Sequence, residues 1–220
     1  MKTKSIKESQ SQTLPTYWQI LDAARELFAE YGYRDTTIRM ISQKANVNGA
    51  AINYYFRSKE TLYKTLFVEA FQKMGKPTAA LIPAVKDQAT WEISVNEWFK
   101  FILNLFLSDS YESALVRRLV GKERVDTTEF GEALLQEIFY PTIDVLLSLI
   151  KMAVPNADAI EKKAIFLSYL SQCSCYIHRD PPWDKVLIPD EISRDEWIAI
   201  LHKQITGVFF RQLSFQTTKI

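Results

Sequence analysis

Residues 36–63 read TTIRMISQKANVNGAAINYYFRSKETLY, and this stretch decides the fold. Ile38, Ile41 and Ala45 recur at spacings of three and four, the period of a helix with one buried face. Thr36-Thr37 offers a hydroxyl cap ahead of it. Asn46-Val47-Asn48 then breaks the period: Asn46 tolerates positive φ, and Asn48 can cap a second short helix over Gly49–Tyr55. Val47, Ile52 and Phe56 would anchor that helix from behind. Ser58 can cap a further helix, with Leu62, Leu66, Ala70 and Phe71 on one face. Upstream, Tyr17, Ile20, Leu21, Ala24, Leu27, Phe28 and Tyr31 predict a helix from Thr16, with Pro15 just ahead and Gly32 at its end. One helix followed by two short ones across a tight turn makes a helix-turn-helix unit. Its second short helix enters the DNA major groove while the first crosses the backbone.

The side chains of the second short helix suit that task. Gly49 and Ala50, with Ala51, let the helix approach base edges closely, and the Asn53 amide can pair with adenine. Tyr54, Tyr55, Arg57 and Lys59 surround it with groups that seek phosphate. Lys59 falls in the first turn of the next helix, where free backbone N–H groups also attract anions. Thr37 and Asn48, capping their helices, add hydroxyl and amide groups at the backbone. The candidate DNA-binding set is therefore Thr37, Asn48, Gly49, Ala50, Asn53, Tyr54, Tyr55 and Lys59. Charge agrees: residues 1–76 hold 12 Lys/Arg against 7 Asp/Glu, whereas residues 77–220 hold 15 against 19. A basic front on a slightly acidic body suits a protein that meets a polyanion at one end.

Outward from this unit, residues 1–15 lack periodicity over their first dozen and predict a disordered tail. Residues 16–74 form the helix-turn-helix domain, and Gly75-Lys76-Pro77 with Pro83 marks a boundary. Residues 75–220 form a larger ligand-binding and dimerisation domain. Its helices are expected at 90–107, 110–120, 129–154, 157–178 and 193–213, with a kink at Pro141. Arg179 through Pro189 reads as an ordered loop, because Pro181-Pro182 forbids a helix there. Six glycines and eight prolines in 220 residues are too few for a turn-rich fold, and the class is all-α.

The composition, 47% hydrophobic and 24% charged with a net charge of +1, is that of an ordinary soluble globular protein. Two cysteines cannot build a disulfide framework, which favours a reducing cytoplasm. The basic start has no apolar core behind it, so it is not a signal peptide. FILNLFL and IDVLLSLI are far shorter than the ~18–20 residues that cross a bilayer, so no membrane partner is expected.

The run Thr36-Thr37-Ile38-Arg39-Met40-Ile41, Ala45-Asn46-Val47-Asn48 and Ile52-Asn53-Tyr54-Tyr55-Phe56-Arg57-Ser58-Lys59-Glu60-Thr61-Leu62-Tyr63 resembles the TetR/AcrR family of bacterial transcriptional repressors. The resemblance covers about residues 16–71. Asn46 stands where that family usually has Gly, and Met40 where an acidic residue is common. The resemblance implies a homodimer on a palindromic double-stranded operator, with a small-molecule effector bound in the C-terminal domain. Arg117 through Thr128, with Ile138-Phe139-Tyr140-Pro141, is similar to the CecR-like branch. That would imply a toxic or antibiotic-like effector and an efflux or detoxification target.

Other chemistry finds less support. Cys173 and Cys175 point about 200° apart on a helix; only Cys175 and His178 share a face, and zinc needs three or four ligands. Neither His178 nor His202 accompanies a nucleophile motif, and there is no Gly-rich phosphate loop. No enzyme, cofactor or metal is expected. Aromatic residues with scattered polar partners suit a mostly apolar pocket between helices, here Trp98, Phe101, Phe106, Arg117, Phe139, Phe166, Tyr169 and His178. The last two helices are apolar on more than one face, which predicts burial against a twin subunit in a four-helix bundle. The function expected is a ligand-responsive, DNA-binding repressor acting as a homodimer. The alternative is a helical small-molecule carrier or enzyme with a vestigial DNA-binding head.

Overall fold

Helix α1 spans Thr3–Asp35 in a computed structural model that describes residues 3–74, 81–175 and 189–215. It begins well ahead of Thr16, so the expected tail over residues 1–15 is helical from Thr3. Lys, Gln, Glu and Ser fill much of that stretch, and the first three are good helix formers even without an apolar stripe. Gly32 departs from helical geometry with φ 81°, a left-handed value that favours glycine, and bends the chain as its position predicts. The buried Thr36 hydroxyl then bridges the Leu27 and Gly32 carbonyls and fixes the bend. Helices α2 (Ile38–Lys44), α3 (Gly49–Phe56), α4 (Lys59–Lys73), α5 (Gln88–Leu107), α6 (Tyr111–Val125), α7 (Gly131–Ala153), α8 (Ala159–Ser174) and α9 (Arg194–Gln212) follow, with no strand among the described residues. The Gly75-Lys76-Pro77 boundary and most of the Arg179–Pro189 loop lie outside the described residues.

The chain divides into two compact units. One comprises Met1–Ala70 and Arg118–Glu132; the other comprises Phe71–Arg117 and Ala133–Ile220. The first unit is built round Ile20, Leu21, Phe28, Ile41, Ile52, Leu62 and Phe67, all fully buried. Its polar interior is satisfied in pairs. Arg25 is buried and ion-paired with Asp22 and with Glu69, which also accepts from the Tyr17 hydroxyl.

Arg118–Glu132 joins this unit through a buried carboxylate. Glu123 accepts from the Tyr63 hydroxyl at 2.9 Å, the Thr128 N–H at 3.0 Å and the Thr128 hydroxyl. Phe130 packs on Tyr33 and Tyr63, and the Lys64 ammonium lies over its ring. α6 runs past Val120, where Gly121 suggests an end, because Lys122, Glu123 and Arg124 are good helix formers. A Cβ on Gly131 would meet Glu123 Oε2 at 2.1 Å, whereas one on Gly121 would meet nothing within 4 Å. Gly131→Ala is therefore expected to destabilise by about 2 kcal/mol through overpacking. Gly121→Ala should stabilise by about 0.5–1 kcal/mol by stiffening the helix where a methyl group has room. Urea denaturation of both variants checks the opposite signs.

In the second unit α5 is central, with Trp91, Val95, Trp98, Phe99, Leu103 and Leu107 fully buried. An Asp87–Thr90 capping box starts it. Trp91 and Trp98 donate their indole N–H groups to the Leu149 and Thr142 carbonyls of α7, at 3.0 and 2.7 Å. α7 continues through Pro141. Phe99, Tyr169 and Phe209 meet ring to ring, joining α5, α8 and α9. Cys173 is buried and Cys175 exposed, as their helical spacing requires. No helix among the described residues is long and apolar enough to cross a membrane.

Candidate nucleic-acid interface

The turn between α2 and α3 is made by backbone bonds that close α2. Val47 N–H donates to the Ser42 carbonyl at 3.0 Å and Asn46 N–H to the Gln43 carbonyl at 3.2 Å, with Asn46 at φ 53°. This is the Schellman arrangement, and it needs a left-handed residue where Asn46 stands. Thr37 caps α2 by accepting from Met40 N–H at 3.1 Å, and Asn48 caps α3 by accepting from Ala50 N–H at 2.9 Å. Both capping side chains are exposed. Ile52 and Phe56 are buried behind α3, Val47 is half-buried, and Tyr17 stacks on Phe56 at 4.9 Å.

The opposite face of α3 is open. Gly49 is half-buried, Ala50 and Asn53 are exposed, and Tyr54 is 77% exposed. Tyr55 is half-buried between Tyr17 and Tyr54. One side chain behaves differently from the sequence expectation. The Lys59 ammonium turns inward, donating to the Tyr33 and Thr36 carbonyls at 2.8 and 2.9 Å, with the Tyr33 ring 4.1 Å away. Burial lowers its pKa from the ordinary lysine value. Lys59 thus ties α4 to the end of α1, and its ammonium is not presented outward as a phosphate-seeking group.

Other cations of the head are also engaged: Arg25 and Arg34 pair with carboxylates, as do Lys44 and Lys64. Among the described residues, Arg39 on α2 and Arg57 after α3 are exposed and make no ion pair. Arg57 stands where the sequence places a phosphate-seeking group, and Arg39 joins it as a second exposed cation of the quoted motif. Its signal was its place on α2 two residues after the capping Thr37, on the side away from Ile38 and Ile41.

The residues expected to line a ligand pocket are dispersed within the second unit. Trp98, Phe106, Phe166 and Tyr169 are buried, Trp98 and Tyr169 as members of the aromatic core. Arg117 spends its guanidinium on the Leu105 and Ser108 carbonyls, both at 2.9 Å, and so pins the end of α5. Phe139 is half-buried against Phe71. His178 lies outside the described residues. Among the described residues of the set, Phe101 alone lines a cavity of about 360 Å³, otherwise bounded by residues at the end of α4, on α5, in the α5–α6 turn and at the start of α6.

Residues 20–66 match the model of the bacterial regulatory proteins of the tetR family. A Bacillus subtilis fatty acid metabolism regulator protein is 38% identical over 79 residues, which cover 36% of this chain and 39% of that protein. A Mycobacterium tuberculosis HTH-type transcriptional repressor, Rv1474c, is 43% identical over 57 residues, covering 26% of this chain and 30% of its own. The alignments thus span well under half of those relatives' lengths. The structure of the Bacillus subtilis regulator FadR in complex with stearoyl-CoA superposes with a TM-score of 0.57 at 16% identity, covering 87% of this chain and 96% of that one. Residues 20–66 are thus similar to the bacterial regulatory proteins of the tetR family, and the described residues that follow them form helices and no strand.

Proposed function

We propose that the protein is a transcriptional repressor, not an enzyme, that binds a palindromic operator as a homodimer and is released by a small molecule. The observation that carries this reading is the divided surface of α3: Ile52 and Phe56 are sealed behind it, while Asn53 and Tyr54 stand exposed beside the small Gly49 and Ala50. Phosphate contacts would come from Thr37, Tyr54, Tyr55, Arg39 and Arg57, and base readout from Asn53. Asn48 serves by capping α3, and Lys59 by holding the head together.

The dimer would form through α8 and α9. On α8 one face is buried by Phe166, Tyr169 and Cys173, while Ile160, Ala164 and Leu167 are exposed on another. On α9 Ile198, Ile205 and Phe209 are buried, and Ile200 is exposed. A second copy would cover these apolar residues. Its two heads would read major grooves about 34–36 Å apart, or a multiple of that. The stretch that resembles the CecR-like branch, Arg117 to Thr128, supports a finer proposal of a toxic or antibiotic-like effector.

Titrating duplex DNA at several salt concentrations tests the function. Steep loss of affinity with salt is expected, and removing Arg39 or Arg57 should each reduce the slope by about one. Tyr54→Ala should weaken binding to all sequences, whereas Asn53→Ala should erase about 1–3 kcal/mol of preference at one base pair. Weak binding, blind to sequence and unchanged in these variants, would instead favour a carrier.

A further inference from the structure

The cavity in the second unit has an unusual charge balance. Glu97, Lys100, Phe101 and Asn104 stand three and four apart on α5, so they share one face. Lys73 reaches the same space from α4 and Glu112 from the first turn of α6. Two lysines and two glutamates therefore line one concave volume of about 360 Å³. Glu97 and Lys100 make no ion pair among the described residues, although they stand one turn apart. Phe101, 8% exposed, supplies an aromatic wall.

We infer that this cavity takes a small zwitterion of dipeptide size, whose ammonium faces Glu97 and Glu112 and whose carboxylate faces Lys73 and Lys100. The inference rests on the proposed ligand response and names the class of effector. A ligand of one charge would be attracted by one sign of these side chains and repelled by the other. A molecule that carries both charges at opposite ends meets attraction at each, and Asn104 with the serines of the α5–α6 turn can hydrogen-bond its amide. The volume lies near the lower end of the ~300–1,000 Å³ range of small-molecule sites. Among the described residues, Trp98, Phe99, Tyr169 and Phe209 pack ring to ring in the apolar interior, which disfavours a long acyl chain there. The amphiphile in the FadR structure therefore belongs to that protein's pocket.

The test uses the full chain without DNA and three pools made from one dipeptide library: free, N-acetylated and C-amidated. Stearoyl-CoA is the fourth probe. Thermal shift should detect the free pool alone, followed by calorimetry on its active members. Blocking either terminus should weaken binding at least tenfold. Lys100→Met should narrow the gap between free and amidated forms, and Glu97→Gln the gap between free and acetylated forms. Both sites are exposed, so the fold should survive. The inference is overturned if no pool shifts the protein, if a blocked pool binds as well as the free one, or if only stearoyl-CoA binds. It is also overturned if the variants leave both gaps unchanged. Operator binding measured separately without ligand tests the repressor reading, so the two can fail independently.

Discussion

Trp98→Ala is expected to destabilise the protein by about 3–5 kcal/mol, the range for deleting a buried large aromatic side chain. Trp98 is fully buried and lies edge-on to Phe99, at 5.2 Å between ring centres. Its loss leaves a void beside α7 and strips the Thr142 carbonyl of the indole N–H that reaches it at 2.7 Å. The neighbours cannot collapse into that void cheaply, since Phe99 is itself held by Tyr169 and Phe209. Trp98→Phe keeps most of the volume and should cost about 1–2 kcal/mol, mainly the lost hydrogen bond. A lower urea midpoint with an unchanged slope, graded across the two variants, is the expected result. Equal midpoints for the two would mean that the aromatic volume is not what matters.

The second large effect is expected at Glu123. Glu123→Ala removes the acceptor for the Tyr63 hydroxyl, the Thr128 N–H and the Thr128 hydroxyl at once. Tyr63 is fully buried, so its hydroxyl would be left without a partner or water. Each stranded group costs about 1–3 kcal/mol, for a loss of about 3 kcal/mol in all. Glu123→Gln retains an acceptor oxygen and should lose less. The pH dependence has a definite sign. Burial first, and then the Glu123 carboxylate, raise the Tyr63 pKa above its ordinary 10. The folded state therefore holds that proton where the unfolded chain releases it. The stabilising contribution is complete below pH 10 and falls as pH rises above it. Tyr63→Phe should flatten that part of the stability curve, leaving the gentler contributions of other tyrosines whose pKa is also raised, Tyr17, Tyr31, Tyr33 and Tyr169.

The helical plan was legible where its signals were local. Asn46 adopts positive φ and Asn48 caps α3, both within a few residues of the structure they specify. Ser58 accepts from Thr61 N–H in the same local way. Lys59 misled because its ammonium is decided by carbonyls at Tyr33 and Thr36, more than twenty residues back, and a basic residue in a first helical turn resembles an anion-seeking group in either case. The attachment of Arg118–Glu132 to the head was invisible for the same reason. It depends on Glu123 finding Tyr63 sixty positions away. Aromatic abundance in the C-terminal part also has two physical outcomes, a lined pocket or a filled core. Composition does not separate them; ring-to-ring packing does.

Arg57 follows α3 with φ 62°, in a region where an L side chain without a local polar crutch costs about 1–2 kcal/mol relative to glycine. Swapping in Gly there would make the head tougher against heat while stripping one positive charge from the face proposed to meet nucleic acid. On that proposal, ruggedness and grip pull in opposite directions at a single codon.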